Sequence, residues 1–397
     1  IPVPLKKLFL SYHHTDAKAV ARIESALRLR GIVPWLDWRD GFTVGDDVAK
    51  EAKRAIREDC FGFMLYAGKQ AFESGFIRNE EMFEARHKKE QDPDFLLFPV
   101  LCELSFNDLQ LLSTKEFGIN LAAFHGIPIE SRTTQAIADN IARQVLDVVV
   151  QRAAQAGQAL ALQFGTYEVT PDMEGDLLRI DASPELRDSR TDRDAWQRLL
   201  RALCDVKTSI ARAMGYEKRI AVRGTPLLTG AFMFGRVFSR YTLDITQDYE
   251  QSSEVWRSDA STSLRNPLTL VTSKSAPNAS HLFIEISCTK SVTVGADSLV
   301  ASGRYGNPVR LQFALPELAV KMDEATCLAV VDQVNREVIS TLADHPVEQV
   351  HLLTAIPFAT MILLGQRFRA MPPTQCYEWD ADAHSYRESF LVPGRPL

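Results

Sequence analysis

One acidic side chain stands where an apolar residue is expected. At about 100° per residue, Glu80 projects between Phe76 and Phe83, on the apolar side of a helix that Ser74 can cap. A desolvated carboxylate is costly unless it is paired or used, so this position marks a candidate for catalysis. The same wheel turns Glu81 away from the apolar face and leaves Glu84 on its border, which ranks Glu80 first and Glu84 second. The competing reading is a carboxylate hydrogen-bonded to a neighbouring loop. His13 and His14 are adjacent, but neighbours on an extended chain point in opposite directions, so they read as polar rim residues and not as a metal pair.

Positioning such an acid requires a frame, and strand-like runs alternate with helical patterns from the start. Leu8 to Tyr12 reads as a strand, followed by a helix with Val20, Ile23 and Leu27 on one face and Gly31 as its stop. Ile32 to Asp37 is the second strand, and a polar loop from Trp38 to Asp46 leads to a helix carrying Val48, Ala52, Ala55 and Ile56 inward. Phe61 to Tyr66, Phe95 to Cys102 and Gly118 to Phe124 complete five buried parallel strands, the flavodoxin-like class of α/β fold. Ligands of such sheets bind at the carboxyl ends of the strands. That rim is shared by Ser11 to His14, Trp38 to Gly45, and Ala67 to Glu80.

The ordered segments Leu8-Phe9-Leu10-Ser11-Tyr12, Trp35-Leu36-Asp37 with the loop Arg39 to Gly45, Ala55-Ile56, and Ser74 to Glu80 resemble the successive boxes of a TIR domain. The last box of that family usually reads Ser-x-Trp-x-x-x-Glu, and here Phe76 replaces the Trp. The resemblance implies a TIR domain over residues 1–128 of the NAD-cleaving kind, with Glu80 catalytic and NAD bound by Ser11, Tyr12, Trp38, Asp40, Phe42, Phe76 and Glu84. NAD is then a substrate; neither a cofactor nor a metal is expected. Expelling neutral nicotinamide from a cationic substrate needs no general acid, so one carboxylate that stabilises the oxocarbenium-like ribose suffices. The loop Trp38 to Gly45 corresponds to the family's BB loop, which packs against a neighbouring TIR domain; the competing reading is an exposed turn.

Thr133 to Ala154 reads as one long helix with Ile137, Ile141, Val145 and Val148 inward, stopped by Gly157; residues 129–158 are read as a linker. Beyond it lies a weak internal repeat. One copy runs from Leu160–Phe164 through a helix around Trp196 to Ala213, a strand Arg219 to Val222, a turn Gly224-Thr225-Pro226 and a small-residue helix ending at Gly235-Arg236-Val237-Phe238. The other runs from His281–Ser287 through Ala325 to Leu342, Val350 to Leu353, Thr354 to Pro357 and a helix ending at Gly365-Gln366-Arg367-Phe368. Both carry G-x-x-F, followed at the same interval by Trp256 or Tyr386.

Two fused Rossmann-like halves of this kind resemble a SAVED domain, a relative of CARF sensors that binds cyclic oligonucleotides. The resemblance covers 159–397, with halves of about 159–275 and 276–397. It implies a shared cleft lined by Phe164, Gly165, Thr166, Arg223, Thr225, Thr289, Lys290, Thr354 and Pro357, with Trp256 and Trp379 as stacking platforms for adenine or, on the competing reading, as core. TIR fused to SAVED is an arrangement of antiphage (CBASS) effectors. The expected activator is a cyclic oligonucleotide, cyclic tri-adenylate first, which drives self-association into an oligomer or filament through both domains and so completes NAD hydrolysis. A non-enzymatic TIR scaffold and a TIR cyclase making cyclic ADP-ribose remain alternatives.

The whole chain sets outer bounds. Its 397 residues, 46% hydrophobic and 24% charged, suit two or three ordinary folded domains. A net charge of -6 disfavours a long DNA or RNA partner. Six scattered cysteines without a C-x-x-C pair point to a reducing, cytoplasmic setting. The longest apolar stretch, Leu352 to Leu364, is interrupted by Pro357 and is too short to span a bilayer. The chain starts without Met, so upstream residues are expected.

Overall fold

Buried strands alternate with one-sided helices along most of the chain. The computed structural model describes residues 6–36, 48–124, 126–129, 133–166, 177–187, 190–249, 252–272, 279–319 and 321–394. Two compact units emerge, one of residues 1–157 with 172–180, the other of the remainder.

In the first unit, β1 (Lys7–Ser11), β2 (Pro34–Trp35), β3 (Cys60–Ala67), β4 (Leu96–Cys102) and β5 (Ile127–Ile129) form one parallel sheet in the order β2-β1-β3-β4-β5. The helices Ala17–Leu29 and Gln135–Gln155 pack together, while Ala52, Ala55, Ile56, Ala71, Met82 and Leu109 join the core cluster around Phe9, Trp35 and Phe63. Phe9 stacks on both Trp35 and Phe63, with centroids 4.5 Å and 5.3 Å away. The expected flavodoxin-like sheet is therefore present, with two changes. Strand two is only Pro34–Trp35. Residues 118–124 are not the fifth strand: Gly118 at φ 69 ends the helix Phe106–Phe117, and the Asn120 side chain accepts from Ala122 N to hold a turn. Strand five follows at Ile127–Ile129, where Pro128 is tolerated at a sheet edge. The helix expected at 133–154 spans Gln135–Gln155, capped by Thr134, and belongs to the first unit.

The second unit repeats one topology. In its first half, Arg219–Thr225 pairs in parallel with both Leu160–Gly165 and Thr242–Tyr249, and Ser252–Arg257 turns back antiparallel. In its second half, Gln349–Ala355 pairs in parallel with His281–Ser287 and Thr374–Asp380, and Ser385–Val392 turns back antiparallel. The helices Leu228–Val237 and Phe358–Arg367 pack against each other. A Cβ on Gly235 would collide with the Ile362 carbonyl oxygen, and one on Gly365 with that of Phe232. Arg236 donates to Phe368 O, and Gln366 donates to Phe238 O at 3.2 Å. Each G-x-x-F thus receives the same contacts from the other, which gives the sequence repeat a physical meaning.

A polar cluster lies inside the second half. His351 is buried, with Nδ1 2.8 Å from Tyr377 Oη, Nε2 3.0 Å from His281 Nδ1, and its ring stacked on Phe283. Burial above all, with His281 and Arg304 nearby, pulls its pKa down to about 3. A histidine with a depressed folded-state pKa takes its proton in the unfolded chain first. Stability is therefore intact above about pH 6.5 and declines as pH falls from there toward 3. Chemical denaturation at pH 7 and pH 5 is expected to show wild type losing roughly 2 kcal/mol more than His351→Phe. Equal losses would place the acid sensitivity elsewhere.

Candidate functional site

At the carboxyl rim of the first sheet, Glu81 is a buried carboxylate. Ser11 Oγ, at the end of β1, donates to Glu81 Oε2 at 2.7 Å; the two residues are 2% and 5% exposed. The backbone at Ile77–Glu81 closes a π turn before the α-helix Met82–Gln91. Such turns recur at functional sites because they re-aim side chains. The inward face runs through Ile77, Glu81, Met82, Glu84 and Ala85, whereas Phe83 is 54% exposed. Placing Glu80 on the apolar face is thus corrected: the wheel took its bearing from Phe76 and Phe83 instead of Ile77, Met82 and Ala85. Glu80 forms a salt bridge with Lys53, and both side chains are partly exposed, at 30% and 32%.

The other residues expected at this site divide. Tyr12 follows β1 and Phe76 precedes the π turn, both partly exposed. Trp38, Asp40 and Phe42 lie outside the described residues. Glu84 is buried and accepts two 2.6 Å bonds from Arg57, in the segment that enters β3 at its amino end, so it is engaged away from the carboxyl rim. That pair explains Glu84 structurally and corrects its expected role toward NAD. His13 and His14 remain near the rim, where His13 Nδ1 lies 2.8 Å from Thr15 Oγ1. No group of three or more His, Cys, Asp or Glu fit to hold a metal occurs among the described residues.

In the second unit the two small-residue helices are capped across the pseudo-symmetry. Glu378 Oε1 accepts from Thr229 N at 2.7 Å, and Gln247 Oε1 accepts from Ala359 N at 3.4 Å. Around them lie two cavities. The first, of about 430 Å³, is lined by Arg190, Gly224, Thr225, Pro226, Leu227, Gln247, Asp248 and Phe358, where both helices begin. Converging amino ends and an arginine suit an anionic ligand. The second, of about 320 Å³, includes Arg187, Arg190, Glu378, Trp379 and Arg387. Arg190 lines both. Burial pushes the Glu378 carboxyl above the usual range, against the pull of its bonds to Thr229.

Of the cleft residues expected from sequence, Thr225 lines the first cavity and Trp379, 44% exposed, the second. Gly165 ends its strand; Thr166 is buried and accepts from Leu227 N at 2.6 Å. Thr289 donates to Ala355 O at 3.1 Å, Lys290 is exposed, Pro357 caps the helix Phe358–Arg367, and Arg223 is half-buried. Three expectations are corrected. Phe164 is core, stacked on Phe234 beneath the small helix. Trp256 is buried in its hairpin and Thr354 is buried against Met361, so neither lines either of these two cavities. Sequence reasoning missed Arg190, Gln247 and Glu378. Only the last two carry a signal, since they follow Gly235 and Gly365 by nearly the same interval.

The chain thus combines a flavodoxin-like sheet with an acid at its rim and a duplicated α/β unit with a polar cleft. Residues 8–138 match the family TIR domain, and residues 203–392 match SAVED, the SMODS-associated and fused to various effectors sensor domain. The chain is a TIR domain fused to a SAVED domain. Its fold is similar to two structures of Acinetobacter baumannii Cap4, a SAVED/CARF-domain containing receptor. The structure with the cyclic trinucleotide 3'3'3'-cAAA is 12% identical, with 94% of this chain and 97% of that chain covered and a TM-score of 0.51. The structure with 2'3'3'-cAAA is 13% identical, with 95% and 98% covered and a TM-score of 0.52. No curated protein matches the sequence.

Proposed function

We propose that this chain is a cyclic-oligonucleotide-gated NAD hydrolase of antiphage (CBASS) defence, releasing nicotinamide and ADP-ribose. The observation that carries the reading is the buried Glu81 carboxylate, held by Ser11 at the carboxyl rim of a TIR sheet. A carboxylate fixed there stabilises positive charge developing on ribose and accepts from ribose hydroxyls. In this reading the acid is Glu81 in place of the motif's Glu80, which is supported by its burial and its bond from Ser11.

The activator occupies the two cavities of the SAVED unit, with Arg190 on a phosphate and Trp379 under a base. Cyclic tri-adenylate is the first choice, in keeping with the cyclic trinucleotides bound by the Cap4 receptors. Binding drives self-association into an oligomer or filament, which brings the segment 38–45 of a neighbour to the site. The setting is cytoplasmic; no helix among the described residues is long and apolar enough to cross a membrane.

The test is NAD consumption by the full chain with cyclic di-, tri- and tetranucleotides, with product analysis to separate hydrolysis from cyclisation. Arg190→Ala is expected to weaken activator binding by about tenfold or more, measured by calorimetry. Unchanged affinity would move the ligand away from these cavities. The competing reading, a TIR unit that only recruits other TIR domains, draws on the engagement of Glu80 in a salt bridge with Lys53. Tight activator binding and assembly without any NAD loss would establish it.

A further inference from the structure

The TIR unit has a second feature at its carboxyl rim that contains neither Glu80 nor Glu81. A cavity of about 590 Å³ opens where the strand order reverses between β1 and β3. Its wall comes from three strand ends and the segments that follow them: Thr15, Asp16, Lys18 and Arg22 in the turn and helix after β1, Tyr66, Gly68, Lys69 and Gln70 at and beyond the end of β3, and Cys102 and Glu103 at the end of β4, with Thr133 closing one side. Open parallel sheets offer their nucleotide crevice at this reversal, because the flanking connections leave toward opposite faces and part the loops.

The chemistry of the wall is two-sided. Lys18, Arg22 and Lys69 supply positive charge, and neither lysine forms a salt bridge among the described residues. Arg22 is held in place by its bond to Thr133 O at 3.1 Å. Opposite in sign stand Asp16 and Glu103. Burial raises the Asp16 carboxyl, and its Oδ2 is buried with no hydrogen-bond partner among the described residues. Glu103 holds a left-handed backbone, φ 56, which is unfavourable for a residue with a Cβ. Tyr66 Oη is fixed 2.9 Å from Thr133 Oγ1. A bare anion would use the cations and leave the acceptors and most of the volume idle. A ligand joining phosphate to a hydroxyl-bearing sugar uses both.

We propose that this cavity binds a ribonucleoside phosphate, with Lys18 and Lys69 on the phosphate and Asp16 and Gln70 toward the ribose. The site does not require NAD cleavage, since binding is read without turnover. One chemistry covers two sources, the adenylate half of NAD itself or a separate nucleotide.

The experiment titrates AMP, ADP-ribose, ribose 5-phosphate and inorganic phosphate into the full chain by calorimetry, with wild type and the Lys18→Ala/Lys69→Ala variant. AMP or ADP-ribose is expected to bind better than inorganic phosphate, and the double variant to lose about tenfold or more in affinity. Both lysines are exposed, so an unchanged unfolding midpoint will show that the fold persists. Competition by NAD assigns the cavity to the substrate's adenylate half; binding without competition assigns it to a separate nucleotide. No nucleotide binding, or equal affinity in the double variant, overturns the proposal. Retained AMP binding in a chain that never consumes NAD would sink the hydrolase reading and leave this one standing.

Discussion

Glu81→Gln is expected to lower activator-dependent NAD cleavage by about 100-fold or more, the range found when one preorganised electrostatic partner of a transition state is removed. Glutamine keeps the size of the side chain and can still accept from Ser11 Oγ, so activator binding and assembly are expected to persist. Glu80→Gln removes only a partly exposed ion pair with Lys53 and is expected to change turnover by a few-fold at most. Ser11→Ala should fall between them, near tenfold, because it frees the carboxylate without removing it. Turnover by each purified variant, with assembly checked by light scattering, decides the order. A large loss in Glu80→Gln with normal turnover in Glu81→Gln would return the role to Glu80.

The second large effect concerns folding of the sensor. Gly365→Val should destabilise the SAVED unit by roughly 3 kcal/mol or more, since a branched side chain has no room against the carbonyl of Phe232. Gly235→Val should do the same against the carbonyl of Ile362. For a unit of this size that corresponds to a fall of about 10 °C in Tm. The bonds from Arg236 to Phe368 O and from Gln366 to Phe238 O would be disturbed together, because both depend on the same close crossing. Gly75→Ala is a fair control, as a Cβ there meets nothing within 4 Å. Scanning calorimetry, with hydrogen exchange in residues 228–237 and 358–367, measures the outcome. Unchanged protection in the valine variants would show that the crossing is not tight.

Much of the TIR sheet was legible because its strands are buried on both faces. Runs such as Leu8-Phe9-Leu10 and Cys60 to Ala67 have no other stable use in water. The short second strand and the displaced fifth were less legible, because Pro34, Gly118 and Asn120 act through local backbone geometry that apolar content does not record. The repeat in the sensor was visible as two G-x-x-F motifs, but not its reason. That reason is contact between residues 130 positions apart, Gly235 and Gly365 at one helix crossing.

The acid illustrates the same division. Composition and order of residues determined that a carboxylate would lie near the carboxyl rim, since Glu80, Glu81 and Glu84 all fall on the helix after β3. Which one turns inward was decided by the π turn at Ile77–Glu81 and by packing of Ile77, Met82 and Ala85, which rotate Glu81 to Ser11 and leave Glu80 to Lys53. Most of the cavity lining, too, belongs to tertiary structure, although Thr225 and Trp379 were expected there from sequence. Arg190, Gln247 and Phe358 have no shared pattern, and Lys18 and Lys69 are ordinary surface lysines until the strand order brings the first turns of their helices to one crevice. A sequence fixes local periods and burial tendencies; the phase of a helix and the meeting of distant loops are settled only when the chain packs against itself.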